Sequence, residues 1–248
     1  MKQYKKSYEL KNTAKDMLDG KYSPAMSVCL LSIIIQYLVT RSVERLNFLP
    51  SPVNSSGFSI PAYAVSTVFY LALNWIFGVM QLGTALFFLN VACGRPYKLM
   101  DLFYGYRNDS SRALVVSGAN TLLVAAYQLP CEYLVIQFQL TGDQGFLYAA
   151  SAVAIVGLCI LLPVAAGISL SFYLLLDFPD KPAGEVLSLS FRVMNGHKRR
   201  WMYMTISFLP LAFLCVCSLN VGFFWLIPYM RMTYACFFLD VMNPKGTA

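Results

Sequence analysis

Between Leu46 and Gly94 the chain carries no Asp, Glu, Lys or Arg, and the same is true from Phe146 to Leu176 and from Trp201 to Met230. A helix crossing the hydrocarbon core of a bilayer uses about 20 apolar residues. Each run exceeds that length, and the first and last are long enough to imply helical hairpins. Lipid offers the backbone no hydrogen-bond partner, so runs of this kind must satisfy their own amides and carbonyls as helices. They are too long and too uniformly apolar for the alternating strands of a barrel. Composition agrees, with 58% hydrophobic and 12% charged residues against about 25% charge in a soluble domain.

The expected fold is therefore all-α, a polytopic membrane helix bundle forming one domain over residues 1–248. Six transmembrane helices are expected at about Tyr22–Thr40, Ala62–Cys93, Ala113–Gln139, Phe146–Leu176, Trp201–Ser218 and Gly222–Leu239, paired as three hairpins. Of the 19 Lys and Arg, those before the first span, in the second and third linkers and in the tail all fall on one side. They include Lys2, Lys21, Arg95, Arg107, Arg112, Lys181, Arg200 and Lys245, whereas the other side holds Arg41 and Arg45 and Arg231 sits inside a span. Basic loops stay in the cytoplasm. Both termini are thus expected inside, in the cytoplasmic (inner) membrane. The net charge of +7 reads as topology plus affinity for anionic headgroups, not as a nucleic-acid footprint.

The residues before the first span include Glu9, Asp16 and Asp19 and lack a small-residue cleavage site, unlike a signal peptide. Leu10, Ala14, Met17 and Leu18 instead share one helical face, as in an amphipathic helix at the membrane interface. Similar segments precede the later hairpins: Leu99, Met100, Leu102 and Phe103 before Gly105, and Val186 to Met194 before Gly196. Asp180, Pro182 and Glu185 form a helix start, with proline and acid in the first turn. Gly20, Gly105 and Gly196, each followed closely by a basic residue, are expected to end these helices in the left-handed conformation. The words Phe87-Phe88-Leu89, Phe172-Tyr173-Leu174 and Phe237-Phe238-Leu239 mark the inner ends of the even-numbered spans. Both Gly20 to Gly105 and Phe87 to Phe172 are 85 positions apart. The pattern suggests parallel repeat units at 7–93, 95–179 and 180–240.

Ser190-Phe191-Arg192-Val193-Met194-Asn195-Gly196-His197-Lys198, Phe224 to Tyr229, and Thr233-Tyr234-Ala235 through Asp240 resemble the bacterial integral membrane proteins grouped as domain of unknown function 975. The Ala14–Tyr22 segment is similar too. The resemblance implies a multi-pass bacterial inner-membrane protein and brings no established activity and no assigned functional residues.

Motifs for chemistry are absent. The one histidine, His197, stands beside Lys198, Arg199 and Arg200 and cannot build a metal site alone. The seven cysteines are scattered through apolar spans without CxxC spacing and read as small hydrophobes. The Asn54-Ser55-Ser56 sequon reads as chance in a bacterial chain. No phosphate loop, GxSxG elbow or HExxH helix occurs, so neither an enzyme nor a cofactor is expected.

Ionisable and amide side chains inside a membrane are costly and mark interior sites. Here these are Arg231, Glu132, Asn74, Gln81, Asn90, Asn120 and Gln128. At 1.5 Å per residue Arg231 lies roughly 13 Å from either end of its helix, while Glu132 lies near the external face. Arg231 with Asn74, Gln81 and Asn120 is the candidate polar site. Lys198, Arg199, Arg200, Arg107 and Lys21 are the candidate contacts for anionic lipid. Pro130, Pro163, Pro210 and Pro228 could kink spans around a cavity. Two functions fit: a non-catalytic scaffold or accessory protein binding lipid or a membrane protein partner, and a transporter or channel-like protein with a polar path near the bundle centre.

Overall fold

The computed structural model describes residues 4–46, 49–50, 53–54 and 57–243. Lys2, Lys245 and the Ser55-Ser56 part of the sequon lie outside them. The helices are α1 (Ser7–Leu18), α2 (Tyr22–Arg45), α3 (Ile60–Gly78), α4 (Met80–Ala92), α5 (Tyr104–Arg107), α6 (Ser110–Thr141), α7 (Gln144–Ile168), α8 (Ser171–Asp177), α9 (Ala183–Met194), α10 (Lys198–Ile206), α11 (Leu209–Cys217) and α12 (Phe223–Met242). A 3-10 helix, Leu99–Phe103, precedes α5, and a two-residue hairpin, β1 (Val53–Asn54) with β2 (Gly57–Phe58), joins α2 to α3.

The chain is an all-α membrane bundle. Five stretches are long and apolar enough to cross a bilayer: Tyr22–Arg45, Ile60–Ala92, Ser110–Thr141, Gln144–Asp177 and Lys198–Cys217. They expose large apolar side chains at mid-helix, such as Leu122 and Phe213 at 70% each, which is tolerable only against lipid. The sixth expected span corresponds to α12, which is not among the five because Trp225, Pro228, two tyrosines, Arg231 and Asp240 dilute its apolarity. It is nonetheless well enclosed, with Met232, Thr233, Ala235 and Phe237 fully buried.

Three expected spans are interrupted. The second is interrupted at Val79, between α3 and α4, where Gly78 meets Ser117 of α6 so closely that a Cβ would overlap the Ser117 hydroxyl. The fourth breaks at Ser169-Leu170, six residues beyond Pro163, and the fifth at Ser207-Phe208, where Pro210 opens α11. Pro130 and Pro228 lie within continuous helices.

The described chain begins and finishes at the same end of the bundle, since the Lys5 amide donates to Asp240 Oδ1 at 3.2 Å. This terminal end is tightly packed. Phe87, Phe88, Leu174, Phe237 and Phe238 are buried there, and Tyr173 stacks on Phe238 with ring centroids 5.2 Å apart, so the three aromatic words converge on one core. Toward the opposite end the helices splay, and α2 has no buried residue beyond Cys29.

The segments before the hairpins are set by local chemistry. Glu9 accepts the Lys6 amide at 2.9 Å and Asp101 accepts the Lys98 amide at 2.9 Å, each carboxylate closing an N-terminal turn from three residues on. Pro182 caps α9, with Glu185 in its first turn. The apolar stripe of α1 differs from the expected lipid-facing helix, because Leu10, Ala14 and Leu18 are fully buried against α12 and α4. A protein surface removes the same apolar area from water as lipid would, and it is closer.

Gly20 and Gly196 end their helices at φ +69° and +89°, as the glycine-basic pattern requires. Gly105 does not. It lies buried inside α5, where a Cβ would press on the Val79 side chain and carbonyl, so its missing side chain serves close packing. The left-handed glycine of this region is Gly94, φ +65°, just past α4. Gly196→Ala is expected to cost about 1–2 kcal/mol through the left-handed backbone alone, measurable as a lowered thermal midpoint.

Candidate functional site

Arg231 is carried by α12 one turn beyond Pro228, facing the first turn of α4. Its Nη1 reaches Gln81 Oε1 at 3.4 Å. Gln81 stands two residues past the interruption at Val79. Two cavities flank the pair. One, about 480 Å³, is walled by Cys29, Ser32 and Gln36 of α2 with α4 and α12. The other, about 220 Å³, is walled by Asn120, Ser169, Phe172 and Trp201. Gln81, Thr84, Arg231 and Tyr234 line both. Tyr234 is held by stacking on Trp201, with centroids 6.0 Å apart at 24°, and by its hydroxyl 3.4 Å from that of Thr205.

Two further cavities continue this tract away from the terminal end. About 150 Å³ lies between Gln36, Gln81, Asn120, Asn74 and Gln128. Beyond it about 460 Å³ opens between α2, α3 and α6, lined by Asn74, Gln128, Tyr63, Tyr70, Glu44 and Glu132. Neighbouring cavities share residues, Asn74 and Gln128 at the outer junction and Gln36, Gln81 and Asn120 at the inner ones. A row of amides thus connects two carboxylates at the splayed end to one guanidinium deep in the bundle.

Of the four residues expected to form the polar site, Arg231, Gln81 and Asn120 meet. Asn74 lies one cavity further out, and its amide donates to Tyr70 O of its own helix at 2.9 Å. Glu132 is remote from Arg231, as its depth requires. Gln36 was missed, although an amide between Ile35 and Tyr37 carries the same signal as the others. Trp201 and Tyr234 were legible only as aromatic residues.

Arg231 takes part in none of the ion pairs among the described residues, which join Arg41 to Glu44, Arg112 to Asp109 and Arg200 to Asp240. The other cationic candidates divide. Arg107 and Arg199 are exposed, while Lys21 and Lys198 are half-buried, with the Lys198 ammonium 5.6 Å above the Phe191 ring. Arg200 is turned inward, donating to Asp240 Oδ2 and to Lys5 O and lying over the rings of Tyr4 and Phe237. Lys11 also reaches inward, donating to Ser207 O at 3.1 Å above the Phe208 ring, and burial lowers its pKa from the ordinary lysine value.

Arg112, noticed in the sequence only for its charge, holds Asp109 and donates to Pro179 O at 2.7 Å, Phe178 O at 2.9 Å and Leu175 O at 3.2 Å. It thereby satisfies the orphan carbonyls at the end of α8.

No curated protein and no solved structure matches the chain. Residues 1–245 match the family described as protein of unknown function (DUF975). That match spans nearly the whole bundle, from the α1 segment through Arg231 to the Asp240 contact, and the chain belongs to this family.

Proposed function

We propose that the protein is a multi-pass inner-membrane protein that holds a small polar solute in a hydrated path ending at Arg231, the transporter or channel-like reading of the two above. The observation that carries this is the row of four neighbouring cavities whose walls share Asn74, Gln128, Gln36, Asn120 and Gln81. Amides facing hydrocarbon without partners would cost several kcal/mol each, so a tract of them is stable only if water or a ligand fills it. The role in this reading is binding and passage. Both termini are cytoplasmic in this reading, and the path opens outward between Glu44 and Glu132. Arg107, Arg199 and Lys198 rest on anionic headgroups and fix the bundle in depth.

Accessibility tests the path. With the seven native cysteines replaced, Asn74→Cys, Gln81→Cys and Arg231→Cys are each expected to react with a membrane-impermeant thiol reagent. Asn74→Cys should react fastest, as the outermost. Protection of all three in intact cells and inverted vesicles alike would sink the reading. The headgroup contact has its own check: Arg107→Glu with Arg199→Glu should weaken flotation of the purified protein with phosphatidylglycerol vesicles, and unchanged flotation removes that part.

A further inference from the structure

We infer that the cavities beside Arg231 form a binding site for a small oxyanion, a carboxylate or phosphate group, with the Arg231 guanidinium as its fixed counter-charge. The inference rests on the hydrated-path reading and names what the path ends on. Among the described residues lining the two cavities, Arg231 alone carries a formal charge. A guanidinium offers five donors, and among the described residues its one protein hydrogen bond here is to the neutral amide of Gln81, at 3.4 Å. The chain's other enclosed arginines contrast with it, since Arg112 and Arg200 each hold a carboxylate and at least one backbone carbonyl. Attraction between charges strengthens several-fold away from bulk water, so an uncompensated cation at this depth favours an anion as occupant.

The rest of the lining suits the same ligand. Gln36 and Asn120 have amides with no protein hydrogen-bond partner among the described residues, and Gln36 lines the larger cavity and Asn120 the smaller. Tyr234 and Trp201 add a hydroxyl and an indole N–H on the terminal side. Neutral donors around one guanidinium bind oxyanions by charge-assisted hydrogen bonds, and the planar fork matches carboxylate or phosphate in a bidentate manner. The cavities of about 220 and 480 Å³ admit a small anion or the phosphate of one lipid headgroup, and not a folded partner. The outer carboxylates, Glu44 and Glu132, belong to a separate cavity and do not neutralise the site.

The test uses the full chain in non-ionic detergent, with thermal unfolding read against inorganic phosphate, citrate and short-chain phosphatidylglycerol at constant ionic strength. The expected result is a concentration-dependent rise in melting temperature with at least one of these oxyanions and none with tetramethylammonium chloride. Response to the soluble anions places the ligand's source in the aqueous path, and response to the lipid alone places it in the bilayer. Arg231→Gln should weaken the apparent affinity about tenfold or more. Arg231→Lys, which keeps the charge and guards against mere misfolding, should retain measurable binding. No stabilisation of the wild-type protein by any of the three, or equal stabilisation of Arg231→Gln, overturns the inference. If thiol labelling still reaches position 231 in that event, the path survives without its anion.

Discussion

Asp240→Asn is expected to destabilise the protein by about 3 kcal/mol and to release the segment before α1 to protease. The carboxylate is 5% exposed and its partner Arg200 19%, so the pair lies largely out of water. Asparagine keeps the shape and can still accept from the Lys5 amide through its oxygen, but its NH2 then faces Arg200, so the change removes both the charge and the acceptor that Arg200 uses. Removing one member of an enclosed ion pair leaves the other uncompensated, which is the expensive outcome. Arg200 would be left with the Lys5 carbonyl and two aromatic faces, and Tyr4, whose ring sits 4.6 Å from His197, would lose its anchor. Arg200→Gln combined with Asp240→Asn should recover much of the loss, because two neutral amides can hydrogen-bond where one orphaned cation cannot. Single-variant melting and proteolysis indistinguishable from wild type would show that the pair does not hold the terminal segment.

The second large effect is expected at Gly83. A Cβ there would fall inside the contact distance of the Leu102 carbonyl carbon and oxygen and of the Asp101 oxygen, all main-chain atoms that cannot rotate away. Overfilling of this kind costs about 1–3 kcal/mol or more. Gly83→Ala should also push the Leu99–Arg107 segment off α4 and shift Gln81, two residues away on the same helix. The matched control is Gly184→Ala in α9, which meets nothing within 4 Å and should be neutral or stabilising by up to about 1 kcal/mol. Equal melting temperatures for the two variants would refute the packing argument. Loss of phosphate stabilisation in Gly83→Ala with the fold intact would tie this contact to the site.

Charge-free runs located the spans because the rule they obey, no water and hence no free backbone groups, acts locally and everywhere along a span. The α9 start at Pro182 and Glu185 was legible for the same reason, being settled within one turn. Pairings between distant segments were not. Arg200 reads like Lys198 and Arg199 until the fold brings Asp240, 40 positions on, against it. Gly105 and Gly20 read alike because glycine serves both a left-handed turn and a close approach, and only the neighbouring Val79 decides which. The interruption at Val79 was not legible because no proline marks it, and Ser117 of α6, which abuts Gly78, is distant in sequence. Arg231 was identifiable because a cation among apolar residues is costly in any arrangement, and Gln81 and Asn120 were named with it by the same rule, but the presence of Gln36 in place of Asn74 depended on how the helices cross.

The burial of α1 has a consequence for how the protein is made. Its stripe of Leu10, Ala14 and Leu18 leaves the ribosome well before α12, which covers it, and Lys5 waits for an acceptor 235 positions downstream. At about 5–20 residues per second that interval is on the order of 10–50 s. During it the nascent helix must shelter elsewhere, and the adjacent membrane surface is the apolar refuge within reach. Docking of α1 therefore waits on α12, a latch that shuts only after that helix has been made.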